Sequence, residues 1–566
     1  MRRFLLIPII LTIICSYASG QQYSDSVRLR ELISTYGQAE VTVKYEGRDK
    51  ASELGRIVSI DSYKEGRLHL IISDATAEKF LKTGLLYNLI EPAETKGVLT
   101  APDMTKAMEW QSYPSYTQYD SIMRKLAGDY PALCRLDTIG TSIYGRLVMA
   151  LKISDNVHLD EADEPEVFYS STIHGDELAG FVLMLRLADY LLGSYATDSD
   201  IRYLIDNLQI YINPLANPDG TYRTGDAVSD YPTRGNANGR DLNRNFPDPM
   251  MPGVVQEKEN VDMIAFMRRH RFVLSANFHS GAEVLNYPWD RWNRFHADND
   301  WFVTLCRAYA DTVHNYAPLG YLTDFDNGIV RGYVWYDIYG GRQDFVTWEL
   351  QGREVTIEVD ETKQTPAENL ELLWQYNYRS LINYLGFALD GVRGKVTSAG
   401  NGEPLGARIF IPGHDTDSSH VYSSPATGNY QRLLSDGTWQ LRFSSPGFRD
   451  TLVTVAGIAG GTATWLDIAL SPLDNDDDTL RPDNMLLTPN PSKGIFRMVL
   501  SEGYDGDVRV DIISLSGRFI STETIQYITG TAVIFGRYDL SPGVYIIRAR
   551  NLTSGKSLQS RLVIVR

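Results

Sequence analysis

His174 and Glu177, in the run His174-Gly175-Asp176-Glu177, and His279 farther along the chain are the residues whose types can do chemistry together. Two imidazoles and one carboxylate fill three tetrahedral positions of a zinc ion and leave the fourth for water. That is the open arrangement of a catalytic site rather than the closed one of a structural site. Zinc lowers the pKa of its water toward about 7, so the ligand count points to hydrolysis. A lone His-x-x-Glu is a weak signal, because the spacing arises by chance on many loops and helices.

Two apolar runs position these groups. Val167 to Ile173 reads as a buried strand and Leu178 to Leu192 as a mostly buried helix, which puts His174 and Glu177 on a strand-to-helix loop. His279 closes a second apolar run, Phe272 to Phe278, and strand ends are where open α/β sheets place their ligands. Tyr119, Ile122, Met123 and Leu126 form the apolar face of a helix ended by Pro131. Thr365, Pro366 and Glu368 read as the N-cap, first-turn proline and capping-box glutamate of a closing helix that stops at Gly386. Strands at Leu208 to Asn213 and Glu354 to Val359 alternate with helices, so a mixed sheet flanked by helices is expected over residues 108–390.

Further motifs follow in order. They are Asn217-Pro218-Asp219-Gly220, a run from Arg234 that ends in Asp241-Leu242-Asn243-Arg244-Asn245-Phe246-Pro247-Asp248, Asn286-Tyr287-Pro288-Trp289-Asp290, Gly340-Gly341-Arg342-Gln343-Asp344-Phe345, and Glu354-Val355-Thr356-Ile357-Glu358. Together, from about Tyr113 to Leu389, they resemble the zinc metallocarboxypeptidases of the carboxypeptidase N/E subfamily. The resemblance implies a Zn2+ cofactor on His174, Glu177 and His279. It implies Glu358 as the general base that takes the water proton and passes it to the leaving amine. Arg234 matches the arginine that polarises the scissile carbonyl, and Asn243 and Arg244 match the clamp on a free C-terminal carboxylate, which a planar guanidinium binds through paired hydrogen bonds.

Asp290, with Gln343 beside it, matches the position that receives a terminal lysine or arginine. A buried carboxylate facing an apolar terminus would stay unpaired, at a cost of about 3–5 kcal/mol; the alternative is that Asp290 caps a loop. Arg240 falls outside the motif and reads as a surface charge. The family has a tyrosine two or three residues after the Asp-Phe pair that closes over substrate, where this chain has Val346-Thr347-Trp348. Trp348 can cover a substrate by its area and donate one indole hydrogen bond. Tyr333, Tyr336 and Tyr339 read as loop aromatics that pack or line the cleft.

The composition, 43% hydrophobic and 22% charged with 34 tyrosines, is that of a globular chain, and 566 residues suggest several domains. A balance of 54 basic against 71 acidic residues, −17 net, argues against nucleic acid as a partner. Residues 1–20 have the charge, apolar run and small-residue exit of a secretory signal peptide. No later segment reaches the roughly 18 apolar residues of a membrane span. Cys134 and Cys306 pair or remain as two buried thiols.

Residues 21–107 mix short strands (Val41 to Val43, Ile57 to Ile60, Leu68 to Ile72) with a helix near Ala75 to Thr83. They are expected to form an inhibitory or folding prosegment, or else an ordinary small α+β domain, in which His69 is packed rather than catalytic. Residues 391–472 show short alternating runs typical of a small β-sandwich, which resembles the transthyretin-like domain of the same subfamily; His414 and His420 in its polar loop read as solvated. After an acidic linker, 473–484, residues 485–566 carry Pro489-Asn490-Pro491-Ser492-Lys493-Gly494, Leu515-Ser516-Gly517-Arg518 and Leu540-Ser541-Pro542-Gly543-Val544-Tyr545. These resemble the C-terminal sorting domain of the type IX secretion pathway, with an adhesive β-module as the alternative.

The expectation is thus a multidomain chain, with an α/β catalytic domain followed by two small β-sandwich modules. It would be an exported zinc carboxypeptidase that trims lysine or arginine from peptides with free C-termini, with the type IX machinery as its partner. The competing readings are a zinc amidase acting on peptidoglycan-type peptides and a catalytically silent surface peptide-binding protein.

Overall fold

The computed structural model describes residues 25–565 apart from 93–97, 252, 336, 459, 461–462, 474–484, 502, 515–517, 530 and 538–539. The expected signal peptide, most of the acidic linker, Tyr336 and Leu515-Ser516-Gly517 lie outside the described residues. The chain divides into two compact units, Met1–Leu470 and Ser471–Arg566. Among the described residues no helix is long and apolar enough to cross a membrane.

The first unit opens with a helix over residues 25–36 and an antiparallel sheet of β1 (Gln38–Lys44), β2 (Ser59–Lys64), β3 (Arg67–Ser73) and β4 (Tyr87–Ile90), in the order β2-β3-β1-β4. Helices Arg48–Gly55 and Asp74–Lys82 complete it. Leu29, Val41, Leu70, Ile72 and Phe80 are fully or almost fully buried in its core. The β2–β3 hairpin turns at Glu65 and Gly66, both at positive φ, as a two-residue hairpin turn requires. Opposite the β3 pair Leu70 and His69, the register of β2 jumps from Ile60 to Ser62, so Asp61 is the extra residue of a β-bulge. His69 pairs with Glu40 at 2.7 Å.

The central sheet has eight strands: β5 (Cys134–Thr141), β6 (Leu147–Ile153), β7 (Glu166–Ser171), β8 (Gln209–Asn213), β9 (Phe272–His279), β10 (Ala282–Tyr287), β11 (Ile329–Arg331) and β12 (Arg353–Asp360). Their order is β11-β10-β12-β9-β7-β8-β6-β5. The inner strands β12, β9, β7 and β8 are parallel, and β6 and β10 flank them antiparallel. Alternate side chains serve two cores, as a pleated strand dictates: Val167 and Tyr169 of β7 face a core with helices Ala179–Ser194, Asn299–His314 and Leu370–Gly386, while Phe168 faces Phe266 and Phe272 on the other side. The expected helix faces hold, with Tyr119, Ile122, Met123 and Leu126 all buried in Tyr116–Asp129.

The closing helix departs from its expected start. A 3-10 turn, Ala367–Asn369, precedes Leu370–Gly386. Thr365 does not cap it, because its hydroxyl donates to Asp360 Oδ2 at 2.5 Å instead. Cys134 and Cys306 are buried free thiols.

Strands between Val392 and Leu470 form two small sheets around Val396, Ile409, Leu441 and Phe443. His414 is not the solvated loop residue expected. It lies 3.0 Å from Asp415 and 3.7 Å from Asp298, against the region of the central sheet, with its ring on Trp439. Asp298 there accepts from both Arg353 and Arg432, each at 2.6–2.7 Å and all three buried. The second unit is built of a three-stranded and a four-stranded sheet around Phe496, Val508 and Ile547. Asn490 of its first motif clips the last strand, donating to Arg561 O and accepting from Val563 N.

Candidate metal centre and active-site cleft

Strand register assembles the site. β7 and β9 are parallel neighbours, so the loop leaving β7 lies beside His279 at the end of β9. β12 runs parallel to β9 with Glu358 paired to His279. Thr172, buried at the exit of β7, takes φ 58°, a left-handed conformation unfavourable for a β-branched residue, as the chain turns toward His174. Gly175 is required because a Cβ there would come within 2.5 Å of the Gly220 main chain. The Asn217-Pro218-Asp219-Gly220 motif makes that turn. Asn217 accepts from Gly220 N and donates to the carbonyls of Ile173 and Arg234, tying the two site loops together.

His174, Glu177 and His279 are buried and converge. His174 Nδ1 lies 2.8 Å from Glu177 Oε1, His279 Nδ1 lies 2.7 Å from Glu177 Oε2, and the two Nδ1 atoms are 3.1 Å apart. Their outer nitrogens are held from behind. His174 Nε2 donates to Asp241 Oδ1 at 3.1 Å, which leaves the lone pair on Nδ1. Asn277 Nδ2 lies 2.8 Å from His279 Nε2 while its Oδ1 is buried without a partner; turning the amide over lets Oδ1 accept the Nε2 proton and fixes the same tautomer. Three electron-pair donors then face one point, a set that repels itself unless a cation sits among them. Tetrahedral zinc at about 2.0–2.2 Å from each ligand needs nearly this spacing, so the residues fit the metal.

Glu358 lines the same cavity, with Oε2 sealed from solvent and unpartnered. Burial, and next the charge of Glu177, push its carboxyl well above the ordinary range. Arg234 is buried, with Nε on Asp241 at 2.9 Å and Nη1 on Glu177 at 3.1 Å. Asn243 and Arg244 line the cavity together. Asn243 Oδ1 accepts from Arg342 N, and Arg244 Nη1 donates to Asn243 O at 2.9 Å.

Asp290 and Gln343 lie one layer deeper. Asn286, which lines the cavity, donates to Asp290 Oδ1 at 2.9 Å, and Gln343 Nε2 donates to the same oxygen at 2.9 Å. Gln343 Oε1 accepts from Thr356 N, so its amide is locked. Among the described residues no arginine or lysine forms an ion pair with Asp290, and burial raises its pKa to about 6. Gly332 is obligatory beside it, since a Cβ would meet Asp290 Oδ1 at 1.7 Å.

Neither residue expected to stand in for the family tyrosine reaches the cavity. Thr347 is buried with its hydroxyl unpartnered, and Trp348 packs on Trp289 and Trp292 at 5.8 and 4.9 Å between ring centroids, a cluster that Trp289 and Trp292 close at 5.0 Å. Tyr333 and Tyr339 pack against Arg48 and Arg56 of the N-terminal domain rather than lining the cavity. Arg240 is an exposed surface charge.

Sequence reasoning missed Asp61 and Lys363. Both line the cavity, and Lys363 Nζ lies 2.5 Å from Asp61 Oδ1 and 3.6 Å from Asp176. Neither sits in a motif, so no local signal pointed to them. Asn286 and Asn277 were inside recognisable runs and were overlooked because amides carry no catalytic signature of their own.

Residues 119–380 match the zinc carboxypeptidase family, 391–471 the carboxypeptidase regulatory-like domain, and 487–565 the secretion system C-terminal sorting domain. The chain is 33% identical to mouse carboxypeptidase M over 60% of its own length and 80% of that protein, and 33% identical to the mouse carboxypeptidase N catalytic chain over 61% and 84%. It is also 33% identical to human carboxypeptidase D, covering 59% of this chain and 25% of that protein. It thus spans a quarter of the length of carboxypeptidase D. This chain belongs to the zinc carboxypeptidase family.

Proposed function

We propose that this protein is an exported carboxypeptidase that removes C-terminal lysine or arginine from peptides. The observation that carries the reading is the register of Glu358 with His279, beside a buried His174–Glu177–His279 donor set and within one cavity with Arg234, Asn243 and Arg244. Zinc bound by His174, Glu177 and His279 would supply the Lewis acidity that makes water lose a proton near neutral pH. Glu358 takes that proton and returns it to the leaving amine. Arg234 offers its guanidinium to the oxygen that gains negative charge, a contribution of about 2.7–4 kcal/mol for donors of this kind. Arg244 and Asn243 hold the terminal carboxylate, a clamp that an endoprotease would not need.

Preference for a cationic terminus rests on Asp290, buried, in no ion pair with an arginine or lysine among the described residues, and oriented by Asn286 and Gln343. An acidic terminus would meet like charge there. The C-terminal unit supports export through the type IX pathway. The experiment is hydrolysis of a peptide panel that differs only in the last residue, with and without a chelator. Release of lysine and arginine ahead of leucine and glutamate, abolished by chelation and restored by zinc, is the expected result. Preference for apolar or acidic termini would remove the specificity assignment, and chelator-resistant turnover would remove the metal.

A further inference from the structure

We infer that Asp344 is the second carboxyl of the specificity pocket: it positions Asp290, and the two carboxyls share a proton that a cationic terminus displaces. The inference rests on the proposed preference for lysine or arginine and names the residue that works with Asp290 to produce it.

One helical turn makes the arrangement. The helix Arg342–Glu349 begins after Gly341, so Gln343 and Asp344 are successive residues of its first turn. Gln343 takes the side chain of Asp290, donating to Oδ1 alongside Asn286. Asp344 takes the main chain. Its Oδ1 accepts from Asp290 N at 3.1 Å and its Oδ2 accepts from Arg291 N at 2.9 Å, so its two oxygens hold two successive amides. Asp290 is thereby fixed at both ends by neighbouring residues of one turn. With Asn286 and Gln343 both on Oδ1, no donor among the described residues meets Oδ2, the oxygen left to face a charged terminus.

The same turn brings two carboxyls together where water is scarce, since Asp290 is 3% exposed and Asp344 9%. Like charges at short range in a dry site do not both ionise readily, so such a pair keeps a proton at a pH where an isolated carboxyl has none. Burial, and next the charge of Asp290, push the Asp344 carboxyl well above the ordinary range, whereas burial brings Asp290 only to about 6. The remaining charges do not cancel this. Arg244 and Glu354 act on Asp290 with opposite signs, and Glu354 is itself paired with Arg342. Asp248 adds negative charge near Asp344, while the Arg291 guanidinium lies over the Tyr339 ring with Nε 3.9 Å from Asp248. Asp290 is therefore the member that ionises first, and Asp344 holds the proton at neutral pH. A lysine or arginine side chain beside Asp290 brings the positive charge that lets Asp344 ionise as well, and the proton passes to solvent.

The test is calorimetric binding of N-acetyl-arginine and N-acetyl-leucine to the full-length, zinc-loaded protein. It is run at about pH 7.5 in buffers of different ionisation enthalpy, which counts the protons released. Asp290 is already ionised there, and the leucine ligand, which carries the same carboxylate, reports any proton moved elsewhere in the cleft. The arginine ligand is expected to release about one proton more than the leucine ligand. Asp344→Asn is expected to abolish that difference and to lower the preference for arginine over leucine by about tenfold, the effect of one lost hydrogen bond to a charged group. In an Asp290→Asn background the same substitution is expected to lower the preference no further, because Asp344 acts through Asp290. If the variant fails to fold, the proton count of the unaltered protein decides. Preferred binding of arginine with no proton release would overturn the shared proton while leaving the preference standing, and an unchanged preference in Asp344→Asn would overturn the positioning. Equal affinity for the two ligands would overturn the lysine and arginine reading itself, and this inference with it.

Discussion

Glu358 is the residue on which the proposed chemistry turns, and its replacement separates binding from reaction. Glu358→Gln keeps the shape and loses the proton carrier. It should retain zinc and bind peptide while turnover falls by about a hundred- to ten-thousand-fold; near-normal turnover would exclude it. Asp290 makes a pH prediction. Burial raises its pKa to about 6, and only the ionised form pairs with a cationic terminus. KM for an arginine-ended peptide should therefore climb as pH falls through about 6, by about tenfold per unit below it, while KM for a leucine-ended peptide lacks this limb. Parallel KM profiles for the two substrates would contradict the role of Asp290. At this scale the sequence singled out His174, Glu177, His279, Arg234, Asn243, Arg244 and Glu358, the last four through runs that resemble the zinc carboxypeptidases rather than through residue type alone, and the fold brings all seven to one cavity. Asp61 and Lys363 were not readable, because they meet across 302 positions and only the folded chain brings them together.

Among the elements, the strands and most helices followed their apolar periods, whereas the closing helix did not start where its capping signature placed it. Thr365 had a stronger claim on it, a hydrogen bond to the Asp360 carboxylate at the end of β12, and a 3-10 turn took up the slack. The β-sandwich behind the catalytic domain is held by a second long-range cluster, in which Asp298 accepts from Arg353 of β12 and from Arg432 of the sandwich. Although burial opposes it, the two guanidinium groups hold the Asp298 carboxyl well below its ordinary range. The linkage follows: a depressed carboxylate contributes stability above its unfolded pKa of about 3.9 and loses it as pH falls below that value. Asp298→Asn should cost about 3–5 kcal/mol in urea unfolding at neutral pH, since it takes the carboxylate from the buried Arg353 guanidinium and leaves Arg432 with Asp415 alone, and should flatten the acid limb of stability. A cost near zero would mean that the cluster is neutral in its net effect.

For the whole molecule, every residue of the proposed chemistry lies in Met1–Leu470, and the match to a sorting domain lies in Ser471–Arg566. Deleting residues 485–566 should leave kcat unchanged and strand active protein in the periplasm of a native host, read by fractionation. Normal surface or medium localisation would show that the tail is no address, and a large drop in kcat would show that the enzyme depends on it. The order of a zinc carboxypeptidase, a regulatory-like and a sorting-domain match was legible in the sequence through the motifs that carry each resemblance. The packing of Trp348 on Trp289 and Trp292 has an optical consequence. Three of the nine tryptophans stand close enough for their indole transitions to couple, and Trp289 immediately precedes Asp290. The molecule thus carries a chiral chromophore next to Asp290, and if Asp290 receives a cationic side chain as proposed, the near-ultraviolet circular dichroism of that trio will shift when such a terminus binds.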